Sequence, residues 1–237
     1  MIEARSPDAL RVRDRVFVAI RAQLVSGTYQ PGEKIKLRTL ADALGTSITP
    51  VREALLQLVV AGALIHDKQH SVRVPTLTAE AYRELRHLRI LLEGELAEKA
   101  ATRATEADIA DLETLSVRMA HPPAVESHVF KADVARFHFS LYRAARSPAT
   151  LRLVETLWLQ TGPYMNYLFP DFIRITPGPR LRGQICAGLR RRDGAAVRQA
   201  LEADLQEALT YIMDRLKAED AQQREARDGR AALHESR

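Results

Sequence analysis

Four polar side chains lie on otherwise apolar faces of predicted helices in the C-terminal part of the sequence: Arg89, His138, Arg182 and Asp204. Arg182, for example, precedes Ile185 by three residues and Leu189 by seven, which places all three on one face of a helix. Burial of a charged group costs several kcal/mol unless the group is paired or bound to a ligand. These four residues are therefore candidates for a buried binding site.

Two interpretations of this candidate site stay open. In the first, Arg182 and Asp204 form a structural ion pair. In the second, Arg89 and Arg182 hold the carboxylate of an anionic effector through their planar guanidinium groups. His138 and Asp204 would then fix hydroxyl groups of the same effector.

The stretch GTSITPVREALLQL, residues 45–58, carries a second set of polar side chains. Gly45 ends one short helix, and Ser47 or Thr49 is suited to cap the next. Two short helices joined by a tight glycine-containing turn are typical of the helix-turn-helix, whose second helix enters the major groove of DNA. Ser47, Thr49 and Arg52 would then face phosphates or bases.

The segments on both sides of this unit predict a small N-terminal domain. The apolar spacing after Asp8 indicates a first helix, with Gly27 as its stop. After Gly62, two short β-prone segments around a charged tip indicate a hairpin wing. We therefore expect a winged helix-turn-helix over residues 1–76.

From residue 77 to residue 218 the sequence predicts only helices. Apolar periodicity and turn signals give six segments: 78–103, 105–119, 126–146, 148–169, 179–192 and 194–218. Pro163 should kink or divide the fourth, and two residues near it are further candidates for lining the effector site, Asn166 and Tyr167. Residues 219–237 are polar without a sustained apolar period and are expected to be disordered. The predicted fold class is mainly α, a winged helix followed by an all-helical bundle domain of residues 77–218.

Composition limits the classes of function. The chain of 237 residues has 46% hydrophobic residues and a single cysteine, Cys186, so an internal disulfide or a multi-cysteine zinc site is excluded. Four of the five excess positive charges fall in the first 75 residues, which favours a polyanionic partner for that part. Apolar runs are too short to span a membrane, and the first residues are charged where a signal peptide is apolar. A cytoplasmic protein is expected.

The string PGEKIKLRTLADALGTSITPVREALLQLVVAGAL closely resembles the signature of the GntR family of bacterial transcription regulators. The resemblance implies DNA contacts at Arg38, Ser47, Thr49 and Arg52. Between the serine and the threonine the family usually has arginine, whereas this chain has Ile48. The wing lacks the usual glycine at its tip and presents Lys68 and His70 as its candidate contacts.

The helical part resembles the FCD ligand-binding domain of the FadR branch, through ELRHLRILLEGELAEKAA and ARFHFSLYRAARSPATL. In that branch the domain dimerises and frequently holds a divalent metal through one aspartate and three histidines. This chain has at those positions Val134, His138, Arg182 and Asp204. The nearest aspartate, Asp133, is rotated by about 100° around the helix from the ligand position. Because an arginine has no lone pair to offer a metal and would repel it, we expect no metal cofactor.

The resemblance as a whole implies a homodimeric regulator, by family habit a repressor, that binds double-stranded operator DNA. A small carboxylate-type metabolite in the helical domain would modulate that binding. The alternative is an adaptor in which the winged helix binds protein without specific DNA binding, favoured by the apolar Ile48 on the expected DNA face. An enzyme is not expected, because the sequence contains no glycine-rich phosphate loop, nucleophile elbow or His-Glu-x-x-His motif.

Overall fold

The computed structural model describes residues 7–67, 71–120 and 128–235. The chain forms two compact units. The first contains the residues up to Thr76 together with Glu155–Asn166, and the second contains Leu77–Val154 and the residues from Tyr167 onwards. Helical segment 155–166 therefore groups with the N-terminal residues, although it follows them by almost eighty positions in the sequence.

The N-terminal residues of the first unit form a winged helix-turn-helix, as the sequence predicts. Its elements are α1 (Pro7–Val25), β1 (Lys34–Ile35), α2 (Leu37–Ala43), α3 (Ile48–Val60), β2 (Ile65–His66) and β3 (Val72–Arg73). The strands form an antiparallel sheet in the order β1-β3-β2. The hairpin β2–β3 is the expected wing, whereas β1 was not predicted, because two residues are too few to show a strand alternation.

The turn between α2 and α3 follows from Gly45. Its φ of +61° is a left-handed conformation that favours glycine. The amide of Thr46 donates to the Ala41 carbonyl at 3.0 Å, which closes the end of α2. Behind the turn, the inner faces of the two helices are buried through five residues that the periodicity predicts: Leu40, Ala41, Val51, Leu55 and Leu58. Their burial fixes which face of α3 remains exposed.

Segment 155–166 contains the end of α7 (Pro148–Thr161) and most of a 3-10 helix (Gly162–Leu168). The change of helix type at Gly162 divides this segment next to Pro163, where the sequence predicts a kink. Within the first unit, Gly162 packs against α1: a Cβ atom there would come within 2.4 Å of the Leu24 carbonyl oxygen. An ion pair of 2.6 Å between Arg21 and Glu155 links the same two helices.

The second unit consists of packed helices. They are α4 (Ala79–Arg103), α5 (Glu106–Ala120), α6 (His128–Ala144), α8 (Asp171–Ile175), α9 (Gly178–Arg190), α10 (Gly194–Glu235) and the start of α7. Helix α10 packs along α4 and α9, and α6 packs on α4 and α5. The Thr78 hydroxyl caps α4 by accepting from the Ala81 amide at 3.2 Å, as the sequence predicts. The sequence analysis missed the five-residue helix α8, which it assigned to a loop.

One expectation about the C-terminal residues is wrong. Helix α10 continues to Glu235, into the stretch for which a disordered tail was expected. At the start of that stretch, Asp220 accepts a hydrogen bond of 2.9 Å from the Ala79 amide, and Glu219 accepts one of 2.8 Å from Tyr167. These contacts require no long apolar period, which is why the sequence pattern did not predict them. Among the described residues, no helix is long and apolar enough to cross a membrane.

Candidate functional site

The exposed side of α3 and the start of α2 carry the residues expected to contact DNA. Arg38, Thr49 and Arg52 are exposed. Ser47 is the N-cap residue of α3, and its hydroxyl makes no capping hydrogen bond, so it can contact another molecule. The polar side of this helix is therefore accessible, while its apolar side is buried.

Ile48 is the first residue of α3 and is half-buried. Part of its side chain is thus accessible beside Ser47 and Thr49. An isoleucine at this place offers apolar contact only, whereas an arginine could hydrogen-bond to guanine. Lys68 and His70, the candidate contacts of the wing, lie outside the described residues.

Inside the second unit, Arg89 is paired with a residue that the sequence analysis missed. Its Nε donates to the Glu93 carboxylate at 2.7 Å, and both side chains are almost completely buried. Burial lowers the pKa of Arg89, but the charge of Glu93 and its hydrogen bond to the guanidinium raise it by more. Arg89 therefore has an internal counter-ion, and the expectation that it anchors an effector is not supported by this geometry.

A chain of hydrogen bonds connects this ion pair with the other predicted residues. The Tyr142 hydroxyl donates to Glu93, and its oxygen lies 2.9 Å from Nδ1 of His138. Because the hydroxyl hydrogen is used by Glu93, the oxygen accepts from Nδ1–H of the imidazole. On the opposite side of the ring, Nε2 lies 3.5 Å from Oδ2 of Asp204. Burial, followed by the charge of Glu93, raises the pKa of Tyr142 well above its usual value, so this tyrosine is a hydrogen-bond donor at neutral pH.

Arg182 is the fourth predicted residue, and its position differs from that of Arg89. It is 6% exposed, and its Nε has no hydrogen-bond partner in the part of the chain that the structure describes. Burial lowers the pKa of Arg182, and the nearby charge of Asp204 offsets this only in part. Asp204 makes its close contact with His138 instead, and no ion pair joins it to Arg182 among the described side chains. The described side chains therefore show no contact that would make Arg182 and Asp204 a structural ion pair.

The position of Arg182 is set by a glycine. A Cβ atom at Gly178 would come within 2.9 Å of Nη1 of Arg182, so the guanidinium lies against the first turn of α9. The charge of Asp204 on α10 acts on this guanidinium, and His138 on α6 contacts Asp204 in turn. The result is a buried polar cluster, defined as Arg89, Glu93, His138, Tyr142, Arg182 and Asp204.

The donor set of this cluster does not fit the metal that the FadR branch frequently binds. Val134 is buried at the aspartate position and offers no ligand. Asp133 forms an ion pair with Arg118 on α5, which holds its carboxylate away from the cluster. His138 and Asp204 remain, but they share their surroundings with the cation Arg182. Over residues 7–67, 71–120 and 128–235, no group of three or more His, Cys, Asp or Glu side chains could hold a metal ion.

The two remaining candidates for the site have other contacts. Asn166 belongs to the first unit, where its Nδ2 donates to the Tyr29 carbonyl at 3.0 Å and to the Pro163 carbonyl at 2.9 Å. Tyr167 belongs to the second unit, and its hydroxyl donates to Glu219. Both side chains are thus hydrogen-bonded within their own units.

Two members of the buried polar cluster, Glu93 and Tyr142, were missed. Both could have been found by the rule that side chains four residues apart share a helix face. Glu93 follows Arg89 by four residues, and Tyr142 follows His138 by four.

Comparisons with known proteins agree with this architecture. Residues 12–74 match the gntR family of bacterial regulatory proteins, and residues 84–207 match the FCD domain. The HTH-type transcriptional regulator McbR of Escherichia coli is 29% identical over 200 residues, which cover 81% of this chain and 89% of McbR. The HTH-type transcriptional repressor RspR of the same organism is 26% identical over 201 residues, covering 83% and 86%.

Solved structures show the same arrangement of elements. That of E. coli McbR/YncC superposes with a TM-score of 0.75 at 27% identity, covering 86% of this chain and 98% of the other. Both domain matches lie where the sequence and the structure place the winged helix and the helical unit. The chain therefore belongs to the GntR family of bacterial regulatory proteins, in the branch with an FCD domain, and is a DNA-binding transcription regulator rather than an enzyme.

Proposed function

We propose that this regulator is a repressor whose operator binding is controlled by a small monoanionic acid held at Arg182. The observation that carries the proposal is a buried guanidinium without an ion pair or a partner for its Nε in the described structure. An unpaired buried charge is costly for a folded protein. A carboxylate that reaches the two-pronged guanidinium would relieve this cost on binding.

The charges of the cluster argue for one negative charge on the effector. Arg89 is neutralised by Glu93 through a contact of 2.7 Å, so it has no need of a second anion. Arg182 is the cation that an effector carboxylate can pair with. A second carboxylate would meet the negative charge of Asp204. We therefore expect monocarboxylates to bind better than dicarboxylates of similar size.

The other members of the cluster favour a hydroxyl group on the same ligand. Asp204 can accept a hydrogen bond from a hydroxyl group, and Nε2 of His138 lies beside it, 3.5 Å from Oδ2. The ring of His138 is oriented by Tyr142 and, through it, by Glu93. A small hydroxy acid is the chemical class that uses the carboxylate and the hydroxyl partners together.

Operator binding is expected to follow the usual geometry of the helix-turn-helix. A homodimer would present two copies of α3 to a palindromic operator in the cytoplasm. Binding of the effector would favour an arrangement of the two copies with lower affinity for the operator. The similarity to RspR, which is named a repressor, supports repression as the direction.

The test of the effector site is a thermal unfolding screen with matched hydroxy monocarboxylates, dicarboxylates and neutral amides. At about 100 times its Kd, a ligand stabilises the native state by ~2.7 kcal/mol. For a chain of this size that raises the unfolding temperature by roughly 5–10 °C. The Arg182→Met variant is expected to lose this shift. Without ligand it should be at least as stable as the wild type, because an unpaired buried charge is removed.

The matched control is Arg180→Met, an exposed arginine two residues earlier on α9. It should keep the full ligand-induced shift. The proposal fails if a ligand stabilises wild type and Arg182→Met equally. It also fails if Arg182→Met unfolds at a much lower temperature without ligand, because Arg182 would then have a structural role.

A gel-shift experiment with the DNA upstream of the gene tests the regulator against the adaptor. Sequence-specific retention that weakens steeply with salt is expected for operator binding. Release of the DNA by the acid found in the screen would identify repression relieved by ligand. Retention that is independent of DNA sequence would favour the adaptor.

A further inference from the structure

Two lysines lie on the same side of the β1 edge, which we define as strand β1 and the residue that follows it, residues 34–36, next to the helix-turn-helix. Lys34 and Lys36 are exposed, while Ile35 between them is 4% exposed and packs in the core. This alternation is that of an edge strand with one face on the core. Lys36 is also the N-cap residue of α2, two residues before Arg38. Three cations thus lie within five residues at the entrance of the helix-turn-helix.

These two lysines differ from the other lysines that the structure describes. Lys99 pairs with Glu95 at 2.7 Å, Lys217 pairs with Asp214 at 3.0 Å, and the ammonium of Lys131 lies 4.7 Å from the centre of the Phe169 ring. In the described ranges, Lys34 and Lys36 have no such partner. The described lysines of the helical unit thus all contact a carboxylate or an aromatic ring. The ammonium groups of the two lysines on the β1 edge can contact another molecule.

The register of the sheet adds a second observation. Lys34 lies directly opposite Arg73 on β3, so two positive side chains share one face of the sheet. Like charges at directly opposed positions destabilise a sheet. Arg73 forms an ion pair of 3.2 Å with the carboxylate of Asp67. Arg73 also donates to the Gly32 carbonyl at 2.9 Å, whereas Lys34 has no ion pair among the described residues and can pair with an external anion.

We propose that the β1 edge contacts the operator phosphates through Lys34 and Lys36, in addition to the contacts of α2 and α3. The proposal rests on operator binding by the winged helix. A lysine ammonium is a compact point charge on a flexible stem, which suits a phosphate better than a base edge. Such contacts raise affinity for all DNA sequences alike and carry no sequence information. β1 would thus position the winged helix on the duplex while α3 reads the bases.

The experiment measures the affinity of the full-length protein for its operator over a series of salt concentrations. Each phosphate contact contributes about 0.9 to the slope of log K against log salt concentration. The double variant Lys34→Gln/Lys36→Gln should therefore show a slope shallower by roughly 1.8 for each winged helix bound. Its affinity should fall equally for the operator and for operator variants with changed bases, so that sequence preference is retained.

The matched control is the double variant Lys99→Gln/Lys217→Gln, which removes the same charge from exposed helix faces of the second unit. Its salt slope should equal that of the wild type. An unchanged slope in the β1 variant, with sequence-specific binding by the wild type, would overturn the β1 contact and leave operator binding intact. Absence of sequence-specific, salt-dependent binding by the wild type would overturn both.

Discussion

At the scale of single residues, Cys186 allows a direct test of whether water is excluded from the inner face of α9. Burial, with a smaller contribution from the charge of Glu113, raises the pKa of this thiol from 9.0 to about 11. Because the chain has one cysteine, the 13Cβ chemical shift of a sample labelled with 13C-cysteine reports this group alone. In a pH titration of the native protein, the thiolate should form near pH 11, and in urea near pH 9.

The same shift has a consequence for stability. The folded state keeps its proton at pH values where the unfolded state loses it, so the free energy of unfolding falls as pH rises from about 9 to about 11. The contribution of this group is at most roughly 2–3 kcal/mol. Cys186→Ala should flatten that part of the pH profile. A native thiolate that forms near pH 9 would show that water reaches this face of α9.

The residues of the buried polar cluster illustrate what a sequence can predict about a site. Arg182, His138 and Asp204 were found because they occupy ligand positions of the FCD domain that the sequence resembles, and because each falls within or beside an apolar helical stripe. For Arg89 the structure shows an ion pair with Glu93 on the same helix, which the sequence analysis missed. The spacing of apolar residues does not show whether a buried charge has a counter-ion. That distinction depends on side-chain directions, which spacing alone does not fix.

At the scale of elements, the junction of α7 and the 3-10 helix depends on Gly162. A Cβ atom there would lie 2.4 Å from the carbonyl oxygen and 3.1 Å from the carbonyl carbon of Leu24, and 2.9 Å from the Val25 Cα. All three are backbone atoms, so no side chain can move to make room. Gly162→Ala should therefore destabilise the protein by roughly 1–3 kcal/mol, as overpacking of a core does. Urea unfolding measures the change.

A second glycine provides the control for this prediction. Gly183 lies inside α9, is exposed, and has no atom within 4 Å of an added Cβ. Gly183→Ala should stabilise the protein by roughly 0.5–1 kcal/mol, because alanine has less backbone freedom to lose in a helix. If Gly162→Ala proved as stable as the wild type, the close packing of this segment against α1 would be contradicted.

The predicted elements agree with the structure where the sequence pattern is long. Most helices of both units were located to within a few residues, because their apolar periodicity identifies them, whereas the end of α10 lies well beyond the predicted residue 218. β1 and α8 were missed, because they contain two and five residues. The grouping of 155–166 with the N-terminal unit was missed for another reason. It depends on contacts between residues more than a hundred positions apart, and local periodicity carries no information about these.

At the scale of the whole molecule, the excess of positive charge and the buried polar cluster lie in different units. We therefore expect that substitutions can change DNA binding and effector binding independently of each other. The excess of positive charge falls in the first 75 residues. The buried polar cluster lies entirely within the second unit. Substitutions at Arg182 are therefore expected to change the response to the effector, and substitutions at the start of α3 to change the choice of operator.

The choice of operator is a property of the whole assembly that we expect Ile48 to influence, because the proposed homodimer would present this residue to both half-sites. With isoleucine at the first position of α3, a contact to the base pair would be apolar, for example to a thymine methyl group. We expect selection from random DNA to give a palindrome that departs from the usual half-site of the family at one symmetric pair of positions. Ile48→Arg should shift that pair towards guanine, since one bidentate arginine contributes about 1–3 kcal/mol of discrimination.

The effect of charge must be separated from that of base recognition, and the same helix offers the variant for this. Val60 is the last residue of α3 and is 89% exposed. Val60→Arg adds the same charge at the end of α3 that lies away from the base-reading residues. It should strengthen binding to all sequences or leave it unchanged, without altering the selected palindrome. If Ile48→Arg and Val60→Arg select the same palindrome as the wild type, Ile48 does not determine operator choice, and the accessible part of its side chain faces away from the bases.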